Sequence, residues 1–149
     1  PQPQSSMDDE ASRERYQVIA SGLSKGIGGD LYYGYHENLF GDVVDAFQKN
    51  GINVDGENVI LAKGLFEETW PHYAQRPIAF AHIDCDWFEP VSFCLEAMVK
   101  SLSPGGIVVI DDYYDYSGAR QATNNFLLSH HDFVMEDGPN PMLVRMGPP

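Results

Sequence analysis

Apolar residues fall along this chain in two kinds of run. From Asn38 onward, Leu39, Val43, Val44 and Phe47 recur at spacings of three and four, and Gly51 follows them. That pattern predicts an amphipathic helix stopped by glycine. Three later runs are continuous instead: residues 59–62 (VILA), residues 78–83 (IAFAHI, interrupted only by His82) and residues 107–110 (IVVI). Short continuous runs are what strands buried on both faces of a parallel sheet look like. Between the last two, Pro90 stands where it opens a helix, Leu95, Met98, Val99 and Leu102 make one stripe, and Ser-Pro-Gly-Gly closes it. The three pieces predict a βαβ unit. Ala119, Ala122 and Phe126 mark a further helix, and residues 133–136 and 142–146 flank Asp-Gly-Pro-Asn-Pro as a closing antiparallel pair. The expected class is α/β, a mostly parallel sheet with a C-terminal antiparallel hairpin.

Composition narrows the class of partner. With 149 residues, 43% hydrophobic and 21% charged, the chain reads as about one soluble globular domain. No run approaches the roughly 20 apolar residues that a membrane span requires. Cys85 and Cys94 lack a C-x-x-C spacing, so no disulfide framework is expected and a reducing cytoplasm fits best. A net charge of −13 argues against nucleic acid or an anionic membrane as partner and makes a cation the more natural ligand. Residues 1–16 carry turn formers and charge without apolar periodicity, and residues 22–35 hold five glycines among tyrosines. Residues 1–35 therefore read as a mobile segment or lid, and residues 36–149 as the catalytic body. The chain opens on Pro1 with its first methionine at Met7, which reads as a chain whose natural start lies upstream.

The chemistry gathers where two of the buried strands end. Asp84 and Asp86 follow one (HIDCDW), and Asp111 and Asp112 follow the next (VVIDDYYD). In open α/β sheets ligands bind at that edge, and strands joined by a right-handed crossover lie close together, so the two acidic pairs are expected to converge. Carboxylates held so close repel one another unless a proton or a cation intervenes. Oxygen donors without a histidine or cysteine set point to Mg²⁺, Mn²⁺ or Ca²⁺, with Mg²⁺ first. One aspartate after a strand commonly does no more than cap a helix; four after two neighbouring strands are less readily explained that way. His82 shares its strand face with Asp84 and reads as a packed, hydrogen-bonded histidine. Tyr113 and Tyr114 read as cover for the core edge, with substrate contact the lesser alternative.

The stretch IAFAHIDCDWFEPVSFCLEAMVKSLSPGGIVVIDDYYDYSGARQATNNF resembles the macrocin O-methyltransferase family: a strand ending in Asp-x-Asp-x-aromatic, a helix, Leu-Ser-Pro-Gly-Gly, and a strand ending in Asp-Asp-Tyr. Upstream, VILAKGLFEETWP is similar to the family's strand, Gly-x-Phe and acidic turn, so the likeness runs over residues 36–146. Cys85, Trp87, Phe88 and His82 depart from residues common in the family. The resemblance implies a Rossmann-like class I methyltransferase fold that here lacks its first two strands. It also implies S-adenosylmethionine as cofactor, Mg²⁺ held by Asp84, Asp111 and Asp112, and Asp86 as general base. Gly64 and Phe66 are implied neighbours of the cofactor. The substrate implied is a small hydroxylated molecule, a glycoside or other vicinal diol, and a second copy of the chain is a candidate partner through an uncovered sheet edge. Three other readings share part of the signature: a haloacid-dehalogenase-type phosphatase, an Asp-x-Asp glycosyltransferase, and an inactive metal-binding remnant. Against the phosphatase, only 27 residues separate Asp84 from Asp111, too few for the remaining catalytic motifs. The glycosyltransferase leaves Asp111 and Asp112 without a role.

Overall fold

The computed structural model describes residues 5–147. The elements in chain order are α1 (Glu10–Ala20), α2 (Leu39–Lys49), α3 (Phe66–Thr69), β1 (Ile78–Ile83), α4 (Phe88–Met98), β2 (Leu102–Ile110), α5 (Ser117–Ser129), β3 (Phe133–Glu136) and β4 (Met142–Arg145), with 3₁₀ turns at Ile27–Gly29, Tyr33–Tyr35 and Trp70–His72. The four strands form one sheet in the order β1-β2-β4-β3. β1 and β2 run parallel through the α4 crossover, whereas β4 is antiparallel to both β2 and β3. The class is α/β as expected, with the hairpin closing one edge of a mixed sheet.

One face of that sheet is buried. Val91, Leu95 and Met98 of α4 and Ala119, Ala122 and Phe126 of α5 pack with Ile83, Leu102, Val108, Ile110 and Leu143 into the core. The opposite face is not covered along β1, where Phe80 is 63% exposed. The expectation of strands buried on both faces therefore holds for only one face of β1. Its outer edge has no hydrogen-bonded partner among the described residues.

Residues 59–62 form no strand, in contrast to the sequence expectation. A strand exists only through its ladder, and here Ile60, Leu61 and Ala62 instead face Leu39, Phe40 and Val43 of α2 across a cavity of about 470 Å³. α2 ends as its sequence predicts, with Gly51 in the left-handed region at φ 74° and the Ile52 amide donating to the Phe47 carbonyl at 3.0 Å. β2 starts five residues before the apolar run, but residues 103–106 bulge out, so that Ile78 pairs with Leu102 and Phe80 already with Ile107.

The N-terminal segment contains a helix that apolar periodicity did not reveal. Asp9 caps α1, accepting from the Ser12 amide at 2.9 Å and the Ser12 hydroxyl at 2.8 Å. Asp8, 2% exposed, accepts from the Phe88 amide at the start of α4 at 2.9 Å, and so ties α1 to the sheet's helical layer. Gly118 lies so close that a Cβ there would meet the Asp8 carboxylate at 2.1 Å. Only glycine permits that approach.

Candidate active site

β1 ends at Ile83 and β2 at Ile110, and the ladder carries one residue further, the Asp111 amide donating to the Ile83 carbonyl at 2.9 Å. Parallel pairing in this register sets the residues after the two strands side by side, which is why acids far apart in sequence converge. Asp84, Asp86 and Asp112 each offer a carboxylate oxygen within 4.8 Å of the others. Asp86 reaches inward because its backbone is left-handed, φ 52°, and no other non-glycine among the described residues has a positive φ. Strain of that kind collects at functional sites, and aspartate tolerates it better than most residues.

Asp111 stands apart from these three. Its Oδ1 accepts from the Asn140 amide nitrogen at 2.7 Å and lies 3.3 Å from His82 Nε2. The structure thus brings Asp84 and Asp112 of the expected metal set together with Asp86, while Asn140 and His82 engage Asp111 beside them. His82 is hydrogen-bonded as the strand pattern suggested, though its side chain is half exposed.

Crowding leaves its mark on the titration. Burial, with the hydrogen bond and charge of Asp86 and the charges of Asp111 and Asp84, pushes Asp112 up to about 7. Asp86 is raised as well, chiefly by burial and further by Asp84 and Asp111, while the hydrogen bond with Asp112 and the Arg15 guanidinium oppose the shift. Near neutral pH Asp112 is therefore only partly ionised when nothing positive is bound. Asp112 Oδ2 is buried and has no hydrogen-bond partner, which is costly for a carboxylate oxygen. Three converging carboxylates, with Asp111 and the Arg15 guanidinium nearby, make an oxygen-only, anionic set whose chemistry suits a divalent cation.

Two cavities meet at this cluster. One, about 400 Å³, lies toward α3 and is lined by Phe66, Trp70, Tyr73, Asp84, Cys85 and Cys94. The other, about 450 Å³, lies under the N-terminal layer and is lined by Tyr32, Tyr33, Asp84, Cys85, Asp86 and Trp87. Asp84 and Cys85 belong to both. The Cys85 thiol is held protonated by its hydrogen bond with Cys94, by burial and by the charges of Asp86 and Asp84, so it makes a poor nucleophile there. Phe66 sits in the first cavity, 42% exposed. Gly64, at φ 150°, forms the turn before α3 with Thr69 Cγ2 only 3.0 Å from where a Cβ would stand. Tyr113 is buried, its hydroxyl donating to Asn124 Oδ1 at 2.9 Å, and Tyr114 is half exposed.

Sequence reading did not find Arg15, Tyr33, Trp87, Tyr116 or Asn140 as neighbours of the site. Arg15 arrives on a helix without an apolar stripe, and Asn140 reads as an ordinary turn residue until the hairpin register brings it to Asp111.

Comparison with known proteins gives these features a frame. A model of the macrocin-O-methyltransferase (TylF) family matches residues 39–134. Over 67 residues the chain is 36% identical to the 8-demethyl-8-(2,3-dimethoxy-alpha-L-rhamnosyl)-tetracenomycin-C 4'-O-methyltransferase of Streptomyces olivaceus, an alignment covering 45% of this chain and 25% of that protein. Among solved structures it resembles apo CalS11, described as the TDP-rhamnose 3'-O-methyltransferase of calicheamicin biosynthesis (TM-score 0.59, 25% identity, 78% of this chain and 56% of that one). It also shares the fold of the O-methyltransferase NovP (TM-score 0.67, 18% identity, 97% and 56%). The chain spans about half the length of these solved relatives and a quarter of the curated one.

Proposed function

The chain belongs to the macrocin-O-methyltransferase (TylF) family, and from that membership we propose that it carries the metal and acceptor side of an enzyme that methylates a hydroxyl of a sugar or other vicinal diol. The observation that carries this reading is the convergence of Asp84, Asp86 and Asp112 within 4.8 Å around a buried carboxylate oxygen that lacks a partner. An oxygen-only, strongly anionic donor set fits Mg²⁺. When bound, the cation lowers the pKa of the acceptor hydroxyl and S-adenosylmethionine supplies the electrophilic methyl group.

This chain's own residues do the rest. Asp84 and Asp112 would hold the cation from the ends of neighbouring strands, with their spacing set by the β1–β2 ladder. Asp86, whose carboxylate lies beside the two that would hold the cation, would take the hydroxyl proton. Asp111, fixed by Asn140 and His82, adds negative charge beside the cluster. Phe66 offers an aromatic face in the cavity toward α3, with the Gly64 turn leading into it, which suits the adenine side of the cofactor. Trp70 and Tyr73 line the same space.

The test is methyl transfer from labelled S-adenosylmethionine to a rhamnoside by the complete gene product, alongside Mg²⁺ calorimetry on the present chain. Turnover should require Mg²⁺ and stop with a chelator. Asp86→Asn should lose turnover and keep Mg²⁺ affinity, whereas Asp84→Asn should lose both. Absence of Mg²⁺ binding by the chain, or phosphate release from p-nitrophenyl phosphate in place of methylation, would refute the assignment.

A further inference from the structure

Two thiols stand close to the acidic cluster and take no part in the chemistry above. Cys85 is the second residue past β1, between Asp84 and Asp86, and Cys94 lies in the middle of α4, nine residues on. Both are free and half-buried, both line the cavity toward α3, and both pack against the core. They also face one another: the Cys85 thiol donates a hydrogen bond to Cys94.

The two ends of this contact differ in stiffness. Cys94 is carried by a helix whose Val91, Leu95 and Met98 are buried in the core, so its backbone is fixed. Cys85 instead opens a tight turn, in which the Trp87 amide donates to the Cys85 carbonyl at 2.5 Å across Asp86 at φ 52°. Three-residue turns with a positive central φ are rare and strained. A disulfide sets its sulfurs about 2.05 Å apart, well inside hydrogen-bond contact. Closing one here would therefore move the Cys85 side, and with it the carboxylates that flank it, Asp84 and Asp86.

We propose that Cys85 and Cys94 form a reversible redox couple whose disulfide draws the Asp84–Asp86 segment toward α4 and so weakens the carboxylate site for a divalent cation. The oxidant is a hydroperoxide, hydrogen peroxide being the simplest. Cys94 attacks first, because the hydrogen bond from Cys85 lowers its pKa although burial opposes the shift. Its sulfur takes one peroxide oxygen, the O–O bond breaks, and the other oxygen leaves as water with the thiol's proton, so that Cys94 becomes a sulfenic acid. The Cys85 sulfur then displaces hydroxide from the Cys94 sulfur, its own proton completes a second water, and the S–S bond forms. The two thiols lose two electrons in all, and one hydrogen peroxide is reduced to two waters. The effect on the cation rests on the methyltransferase reading above; the cross-link does not.

The experiment treats the present chain with stoichiometric hydrogen peroxide. Mass spectrometry should show the loss of two hydrogen atoms per chain, and the fragments that chymotrypsin makes by cleaving after Phe88 should stay joined until dithiothreitol is added. The amide resonances of Asp84, Asp86 and Trp87 should shift on oxidation while that of Leu143 in the sheet stays. Mg²⁺ should bind at least about fivefold more weakly by calorimetry, the low end of coupling between linked sites, and dithiothreitol should restore it. Cys85→Ser should stop at the sulfenic acid, trapped by dimedone at Cys94, with a Mg²⁺ affinity indifferent to peroxide. Cross-linked dimers, oxidation of the cysteines without a bond between them, a disulfide with unshifted Asp84 and Asp86 amides, or an unchanged Mg²⁺ affinity in a chain that binds the ion when reduced would each overturn the proposal. A disulfide with shifted amides in a chain that binds no Mg²⁺ even when reduced would refute the metal reading and leave the couple standing.

Discussion

Replacing Asp8 by alanine tests the tie between the N-terminal layer and the catalytic body. Asp8 is 2% exposed; its Oδ1 accepts from the Phe88 amide at 2.9 Å, and its Oδ2 from the Ser5 amide at 2.9 Å and the Ser5 hydroxyl at 3.3 Å. The Phe88 amide is one of the free donors at the start of α4, so Asp8 acts on that helix as a cap supplied from 80 residues away. Loss of a capping side chain costs about 0.5–2 kcal/mol, and loss of a carboxylate at a helix N-terminus about 0.3–1 kcal/mol more. Relief of the buried charge's desolvation offsets part of this. We expect Asp8→Ala to destabilise by about 2 kcal/mol and Asp8→Asn, which keeps an acceptor, by about 1 kcal/mol.

Urea unfolding followed by circular dichroism gives the global change, and amide hydrogen exchange in α1 shows whether the layer lifts locally. A second substitution sharpens the test. In Gly118→Ala the new methyl overlaps the Asp8 carboxylate, at 2.1 Å, and the Phe88 amide nitrogen, at 2.8 Å. Overpacking of this sort costs about 1–3 kcal/mol. In the Asp8→Ala background the first overlap disappears, so the double variant should be more stable than the sum of the singles predicts. An Asp8→Ala chain within about 0.5 kcal/mol of wild type, with α1 amides equally protected and no coupling to Gly118, would show that the N-terminal layer is held by something else.

Other expectations follow from the same contacts. Mg²⁺ should raise the melting temperature: at ten times its Kd, mass action stabilises by about 1.4 kcal/mol. Asp84→Asn and Asp112→Asn should abolish that increment in thermal melts, while Asp111→Asn keeps most of it. Leu143, fully buried in the core, should cost about 2–5 kcal/mol as Leu143→Ala in chemical denaturation; a smaller loss would mean that the hairpin is not part of the cooperative unit. Asp9 is held at about 2, below its ordinary 3.8, by hydrogen bonds from Ser12. Its stabilising effect is therefore full above about pH 4 and is lost as pH falls toward 2. Asp9→Asn should flatten that limb of the stability curve, and an unchanged limb would remove Asp9 from the account. Finally, Phe80→Lys on the open β1 edge should lower any concentration-dependent association seen by sedimentation, since an unpaired edge with an exposed aromatic is a pairing surface.

Local pattern was enough for much of this protein. The three-and-four spacing of Leu39, Val43 and Phe47, the stripe of Leu95 and Met98, the apolar runs of β1 and β2, and the turn before Met142 each encode their own element, because helix and strand periodicities are properties of neighbouring residues. That acids follow both central strands was legible for the same reason, and with it the family. What lay beyond local pattern was decided by partners distant in sequence. Residues 59–62 have a strand's composition but no ladder to join, so apolar contact with α2 prevails. α1 shows little apolar periodicity, and its place depends on Asp8 meeting an amide 80 residues on. How the carboxylates stand depends on the left-handed backbone of Asp86, beside Asp84 and Asp112, and on Asn140 across the hairpin, which engages Asp111. Past the end of a strand, side-chain direction is no longer dictated by the pleat. Contacts across the fold set it there, and only the tertiary structure contains them.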